Sequence, residues 1–196
     1  MKQLVLSTIV IAIAILATGC QSTIGNDYFV IIDDSFSIAN KSAAQMALSE
    51  WENALGQDLR INSVSFGSCN AGGNRYKYPE KLICVHPTNG SWIDSIGYNS
   101  DTIGLTIRYD ETDSANVYIP IDRIAGKGIN YSTTNFAHEF GHAMGLEHTR
   151  QGVMYWQIDI ESRVVDCNDV AQWLDIRGIS DETPACPNGG SVVLFH

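Results

Sequence analysis

Positive charge is what this sequence has least of. Its 196 residues hold 12 Lys and Arg against 22 Asp and Glu, a formal net charge of −10. A surface that acidic argues against nucleic acid as a partner and against electrostatic adsorption to anionic lipid. Cysteine is scarce as well: there are five, and none stands in a CxxC spacing, the usual mark of a thiolate zinc site. No internal repeat occurs, and no compositional break marks a second domain. No Ser or Cys stands out as a nucleophile. One long apolar run exists, Leu4–Ala17, interrupted only by Ser7 and Thr8.

That run follows Lys2 and closes at Thr18-Gly19-Cys20. A basic start, an apolar stretch shorter than the ~20 residues of a membrane crossing, and small residues at a processing point are the layout of a secretion signal. The expected organisation is a signal peptide over 1–19, a lipidated cysteine and short tether over 20–27, and one domain over 28–196. Ala17-Thr18-Gly19-Cys20 resembles the lipobox of bacterial lipoproteins, with Ala17 where Leu is usual, and by that resemblance Cys20 becomes the acylated first residue. Gln21 after it resembles an outer-membrane address. The expected place is therefore the bacterial outer membrane, held by the lipid anchor, with free secretion after ordinary cleavage near Gly19 as the alternative. The other cysteines, Cys69, Cys84, Cys167 and Cys186, are even in number, which in an oxidising compartment predicts two disulfides. Three pairings exist; proximity in sequence favours Cys69–Cys84 and Cys167–Cys186.

Periodicity outlines a mixed architecture. Tyr28–Ile32 reads as a buried strand. Ala44, Ala47, Leu48, Trp51 and Leu55 recur at helical spacing, predicting a surface helix over 42–55 that stops at Gly56. A second strand is expected near Leu59–Phe66, with its alternation slipping at Ser63–Val64, and residues 67–101 are expected to be mostly loop braced by a disulfide. Ile103, Leu105, Ile107 and Tyr109 alternate with polar neighbours, the cleanest half-buried strand. Val117, Ile119 and Ile121 alternate again, with Pro120 placing that strand at an edge or near its end. Between these two lies the acidic turn Asp110-Glu111-Thr112-Asp113, where solvated loop is the default reading and calcium a second one. Helices are expected after residue 132 and over Asp169–Ile176.

The chemistry sits in residues 138–148, HEFGHAMGLEH. His138 and His142 are four apart, so on a helix they leave one face and can reach a single ion. Glu139 is rotated about 100° from His138, near enough to touch a water on the metal without being a ligand. A catalytic zinc needs three protein ligands and one open position. His148 supplies the third only if the chain folds back, and Gly145 stands where that reversal must occur. Three of the five histidines fall in these eleven residues, and chance would produce the full constellation with a probability on the order of 10⁻⁵. His86 and His196 have no comparable neighbourhood and are expected at the surface.

With Gly152-Val153-Met154-Tyr155 downstream, this motif resembles that of the metzincin zinc peptidases, and among them most closely the matrixins, the matrix metalloproteinases and their small bacterial relatives. The resemblance implies an α+β, zincin-like metzincin catalytic domain: a mixed, mostly parallel twisted sheet, an active-site helix and a C-terminal helix. It implies His138, His142 and His148 as zinc ligands, Glu139 as general base, Gly145 as the turn, Met154 beneath the metal and Tyr155 in the S1′ wall. It implies an edge strand around 103–109 that pairs with an extended polypeptide substrate, and a monomeric enzyme. Trp156 stands where astacins and serralysins carry a Tyr that approaches the metal, and where matrixins often have Pro. No cysteine-switch segment is present. The activity implied is zinc-dependent endopeptidase action, in which Glu139 assists attack of zinc-bound water on the peptide carbonyl. The competing reading is a lipid-anchored envelope binding or structural protein that keeps a zinc site as a staple; the unliganded carboxylate of Glu139 argues against it.

Overall fold

The computed structural model describes residues 27–56, 60–67, 69, 81–155 and 163–179. Cys20, Cys186, Trp156 and His196 lie outside them, with the leader and the tether as far as residue 26, while Asp27 belongs to the first strand. The described chain is α+β, with strands β1 (Asp27–Ile32), β2 (Arg60–Phe66), β3 (Leu82–Thr88), β4 (Leu105–Tyr109) and β5 (Ser114–Pro120). Its helices are α1 (Ile38–Leu55), α2 (Gly90–Ser95), α3 (Ile121–Ile124), α4 (Ile129–Ala143) and α5 (Cys167–Ile176). None of these is long and apolar enough to cross a membrane.

The strands form one sheet in the order β2-β1-β3-β5-β4. Every pairing is parallel except β4 with β5, which is antiparallel. Alternation sorts the side chains. Tyr28, Val30 and Ile32 of β1, Ile83 and Val85 of β3, and Val117 and Ile119 of β5 enter one core with α1 and α4. Ile31, Leu82 and the Cys69–Cys84 disulfide cluster separately, as expected of the opposite sheet face. The predicted local pairing of Cys69 with Cys84 is present, with Cα atoms 5.9 Å apart. Cys167 is disulfide-bonded too, to a partner outside the described residues.

Three expectations need correction. Residues 82–88 are not loop but the central strand β3, followed by α2. A parallel strand covered on both faces reads as the unbroken run Leu82-Ile83-Cys84-Val85, without the alternation that announces a half-buried one. Pro87 is tolerated because β3 pairs with β1 only as far as Val85 and beyond that has a neighbour on one side alone. Helix α1 starts at Ile38, four residues before the expected start at 42: Ser37 caps it by accepting the Asn40 amide at 3.2 Å, and Ile38, 85 % exposed, adds nothing to the apolar stripe. In β4 the apolar alternation does not follow burial: Leu105 is buried and Ile107 39 % exposed, while the part-buried Thr106 and Arg108 bond to polar partners. The slip in β2 is real: the register with β1 skips Asn62. Gly56 ends α1 and Pro120 ends β5, as expected.

Trp51 joins the two long helices. Fully buried, it donates its indole N–H to the Ala137 carbonyl at 2.8 Å, one residue before His138. Trp51→Phe removes that bond and part of the ring, so unfolding by urea is expected to show a loss of about 2 kcal/mol at unchanged slope. A change within 0.3 kcal/mol, roughly the error of such a measurement, would show that the bond does not hold α4 in place.

Candidate metal centre

Helix α4 carries His138, Glu139 and His142, and it ends at Met144, whose N–H returns to the Phe140 and Gly141 carbonyls. Gly145 follows at φ 101°, a conformation open to glycine and strained for any residue with a Cβ. The chain then reverses, Leu146 donating to the Gly141 carbonyl at 2.9 Å, and His148 arrives opposite the two helical histidines.

The three Nε2 atoms form a nearly equilateral triangle. His138 to His142 and His142 to His148 are 3.1 Å, and His148 to His138 is 3.3 Å. Two rings are pinned from behind, for His138 Nδ1 lies 2.8 Å from the Val153 carbonyl and His142 Nδ1 2.8 Å from the Leu146 carbonyl. A carbonyl only accepts, so each Nδ1 carries the proton and each Nε2 presents a bare lone pair. Burial and the neighbouring His142 ring push His138 down to about 3, and burial lowers His142 as well, so both stay neutral. Lone pairs aimed at one point repel one another unless a cation lies between them. Tetrahedral zinc with Zn–N of about 2.0–2.1 Å sets its nitrogen ligands about 3.3–3.4 Å apart, close to the spacing here. The ligand set fits zinc.

Glu139 is buried beside this triangle. Its Oε2 accepts the Thr106 hydroxyl at 2.7 Å, and the same hydroxyl lies 3.1 Å from the Glu139 carbonyl, so β4 fixes the side chain. Oε1 receives no hydrogen bond among the described residues and faces Gly104, where a Cβ would come within 2.2 Å of it. Only glycine lets the rim approach the carboxylate this closely. Burial pushes Glu139 up to about 7, with the Thr106 hydroxyl pulling the other way. His138 and Glu139 are buried, whereas His148 is exposed at the cleft mouth. The cleft, about 740 Å³, runs along β4 and is lined by the three histidines, Glu139, the 98–104 segment and Arg108.

The turn at Gly152–Tyr155 lies below. Met154 is fully buried and packs its sulfur against Gly141, between the helical histidines in sequence. Tyr155 is half-buried, with the Arg163 guanidinium 4.3 Å over its ring. The structure thus brings together His138, Glu139, His142, Gly145, His148 and Met154, with Tyr155 on the adjoining turn.

Sequence reading missed Thr106, Asn135 and Asp169. Asn135 donates to the Ile103 carbonyl at 2.9 Å, tying the cleft rim to α4. Asp169 of α5, fully buried, accepts the backbone amides of Val153 at 2.9 Å, Met154 at 3.2 Å and Asp166 at 2.9 Å. Through Val153 it steadies the carbonyl that orients His138. Burial pushes its carboxyl up to about 7 against the pull of these amides. The one available signal was Asp166 three residues before Asp169, a capping-box spacing, and that box is present.

Two secondary expectations change. Asp113 does not offer itself to calcium: its oxygens take Arg108 at 2.9 Å, Arg177 at 2.9 Å and the Tyr28 hydroxyl at 3.1 Å. His86 is half-buried rather than at the surface, 3.2 Å from Asn116 Oδ1 and stacked on Tyr118. Its nearness to Cys69 and Cys84 makes no metal site, since both sulfurs are in the disulfide.

Zinc added to metal-free protein is expected to raise the melting temperature, saturating at a single ion per chain, by preferential binding to the folded state. His148→Ala should weaken that binding by more than the 10- to 100-fold typical of losing a ligand's supporting partner; equal affinity by competition with a chromogenic chelator would remove His148 from the ligand set. No family model matches the chain, and no curated protein matches it at a significant level.

Proposed function

We propose that the protein is a zinc-dependent endopeptidase of metzincin type, closest to the matrixins in its motif. The observation that carries this reading is a buried carboxylate, Glu139, beside three converging imidazoles in an open cleft. Zinc held by His138, His142 and His148 would acidify a water in its open position and polarise the substrate carbonyl. The chain's own residues supply the rest. Thr106 holds Oε2 of Glu139, leaving Oε1 to take the proton of the attacking water and pass it to the leaving amine. Strand β4, paired on one side only among the described residues, would offer backbone donors and acceptors to an extended polypeptide. Residues that merely staple a fold need neither an open cleft nor a second-row base.

Glu139→Gln keeps the shape and removes the proton acceptor. Zinc content and melting temperature should be unchanged, while cleavage of a denatured protein falls at least about a hundredfold, the scale of general-base catalysis. Undiminished turnover would sink the assignment of Glu139, and failure of a hydroxamate to block wild-type cleavage would sink the zinc mechanism.

The same proposal places the enzyme on the bacterial outer membrane through acylated Cys20. A tether of about seven residues reaches at most ~25 Å, so the cleft would work close to the bilayer, and two or more acyl chains hold a soluble domain firmly where one does not. Cys20→Ala is expected to move the protein from the membrane fraction to the soluble one. Identical fractionation with the same mature N-terminus would show free secretion.

A further inference from the structure

The geometry points to Arg108 as a specificity residue that selects a substrate carboxylate, an Asp or Glu side chain at one fixed position within two or three residues of the cleaved bond. This rests on the peptidase reading and extends it to substrate class.

Arg108 is the one cationic side chain among the described residues lining the cleft of a strongly acidic protein. It lies on β4 two residues beyond Thr106, hence roughly 7 Å along the strand from the residue that holds Glu139. A substrate strand paired with β4 places a side chain opposite each position, and strand neighbours two apart share a face. The substrate residue facing Arg108 is therefore a short, constant step from the reacting carbonyl.

The guanidinium has capacity to spare. Asp113 Oδ1 accepts Arg108 Nη2 at 2.9 Å, but Asp113 Oδ2 is already taken by Arg177 and Tyr28. Arg177, which also donates to the Met144 carbonyl at 3.3 Å, alone neutralises that carboxylate. Two guanidiniums thus share one inward carboxylate, while burial drives the Tyr28 phenol further above its ordinary range and keeps it uncharged. The surplus charge is Arg108. Its Nη1 has no hydrogen-bond partner among the described residues and points to the wall at Gly145, where a Cβ would come within 2.4 Å. Asp110, 3.8 Å away with its side chain 92 % exposed, is too solvated a partner to hold the guanidinium against a bound carboxylate. Asp101 and Glu147 line the same cleft, so acidic residues should be disfavoured elsewhere. The preference is confined to one position.

The experiment is a scan of peptide pairs by the zinc-loaded protein, with Glu against Gln at each position from three before to three after the cleaved bond. At low ionic strength, kcat/KM should favour Glu at least tenfold at one position and Gln at the others, with the ratio shrinking as salt rises. Arg108→Gln should bring the ratio near one, and Arg108→Lys should keep part of it. No position favouring Glu in the wild-type protein overturns the inference. So does a preference that persists in an Arg108→Gln variant with normal zinc content and melting temperature. Should that variant not fold, the wild-type and Arg108→Lys scans decide. Wild-type protein that cleaves no peptide overturns the peptidase reading and this inference together.

Discussion

Three imidazole Nε2 atoms converge to within 3.1–3.3 Å of one another, those of His138 and His142 presenting bare lone pairs, and the other elements answer to that convergence. A cation among them would offset their mutual repulsion, and the surrounding chain has to hold the rings in place. Two ligands are simple, since a straight helix presents residues four apart on one face. The third requires a reversal within six residues of His142, which the left-handed backbone at Gly145 and the Leu146-to-Gly141 hydrogen bond accomplish. The remainder of the structure can be understood as support for that reversal and for the helix before it.

The support comes from three directions. Trp51 holds α4 from the core side through Ala137. From below, Asp169 gathers the amides of Val153 and Met154, and the Val153 carbonyl then orients His138. From the cleft side, Thr106 and Asn135 couple β4 and the preceding rim to α4. A buried carboxylate that accepts three backbone amides is costly to desolvate and rigid once satisfied. Such a group suits a turn that must stay still beneath the three histidines.

How much of this the residues announce depends on whether a feature is local. The ligands and Glu139 are legible because their offsets are fixed by helix geometry and by one reversal, all within eleven residues. Helix α1 is legible because it buries one face and so writes its period into the sequence; β1 is legible as the short apolar run Tyr28–Ile32, and β5 through the alternation of Val117 and Ile119. Strand β3 is not, because burial on both faces erases the period, and Cys84 and Pro87 look like loop chemistry when read alone. Thr106 and Asp169 act across 33 and 15–16 residues of sequence, distances over which a hydroxyl or carboxylate carries no mark of its partner. The structure supports an α+β sheet of mostly parallel strands; the likeness to metzincins rests on the motif.

The inward polar side of β4 links support to selectivity. An edge strand in an isolated domain invites unwanted pairing, and one defence is an inward-pointing charge. Here Arg108 and Thr106 take inward positions that apolar residues would otherwise fill, and each is matched to a carboxylate, Asp113 and Glu139. The strand keeps an open backbone edge along the cleft while its side chains are fixed by groups that also anchor α4 and the chain reversal. On the proposed peptidase reading, a substrate paired with this edge would meet an already positioned base and, two residues along, an already positioned cation. Preorganisation of that kind lowers the ordering cost of binding, and it arises from the same few hydrogen bonds that hold the three histidines together.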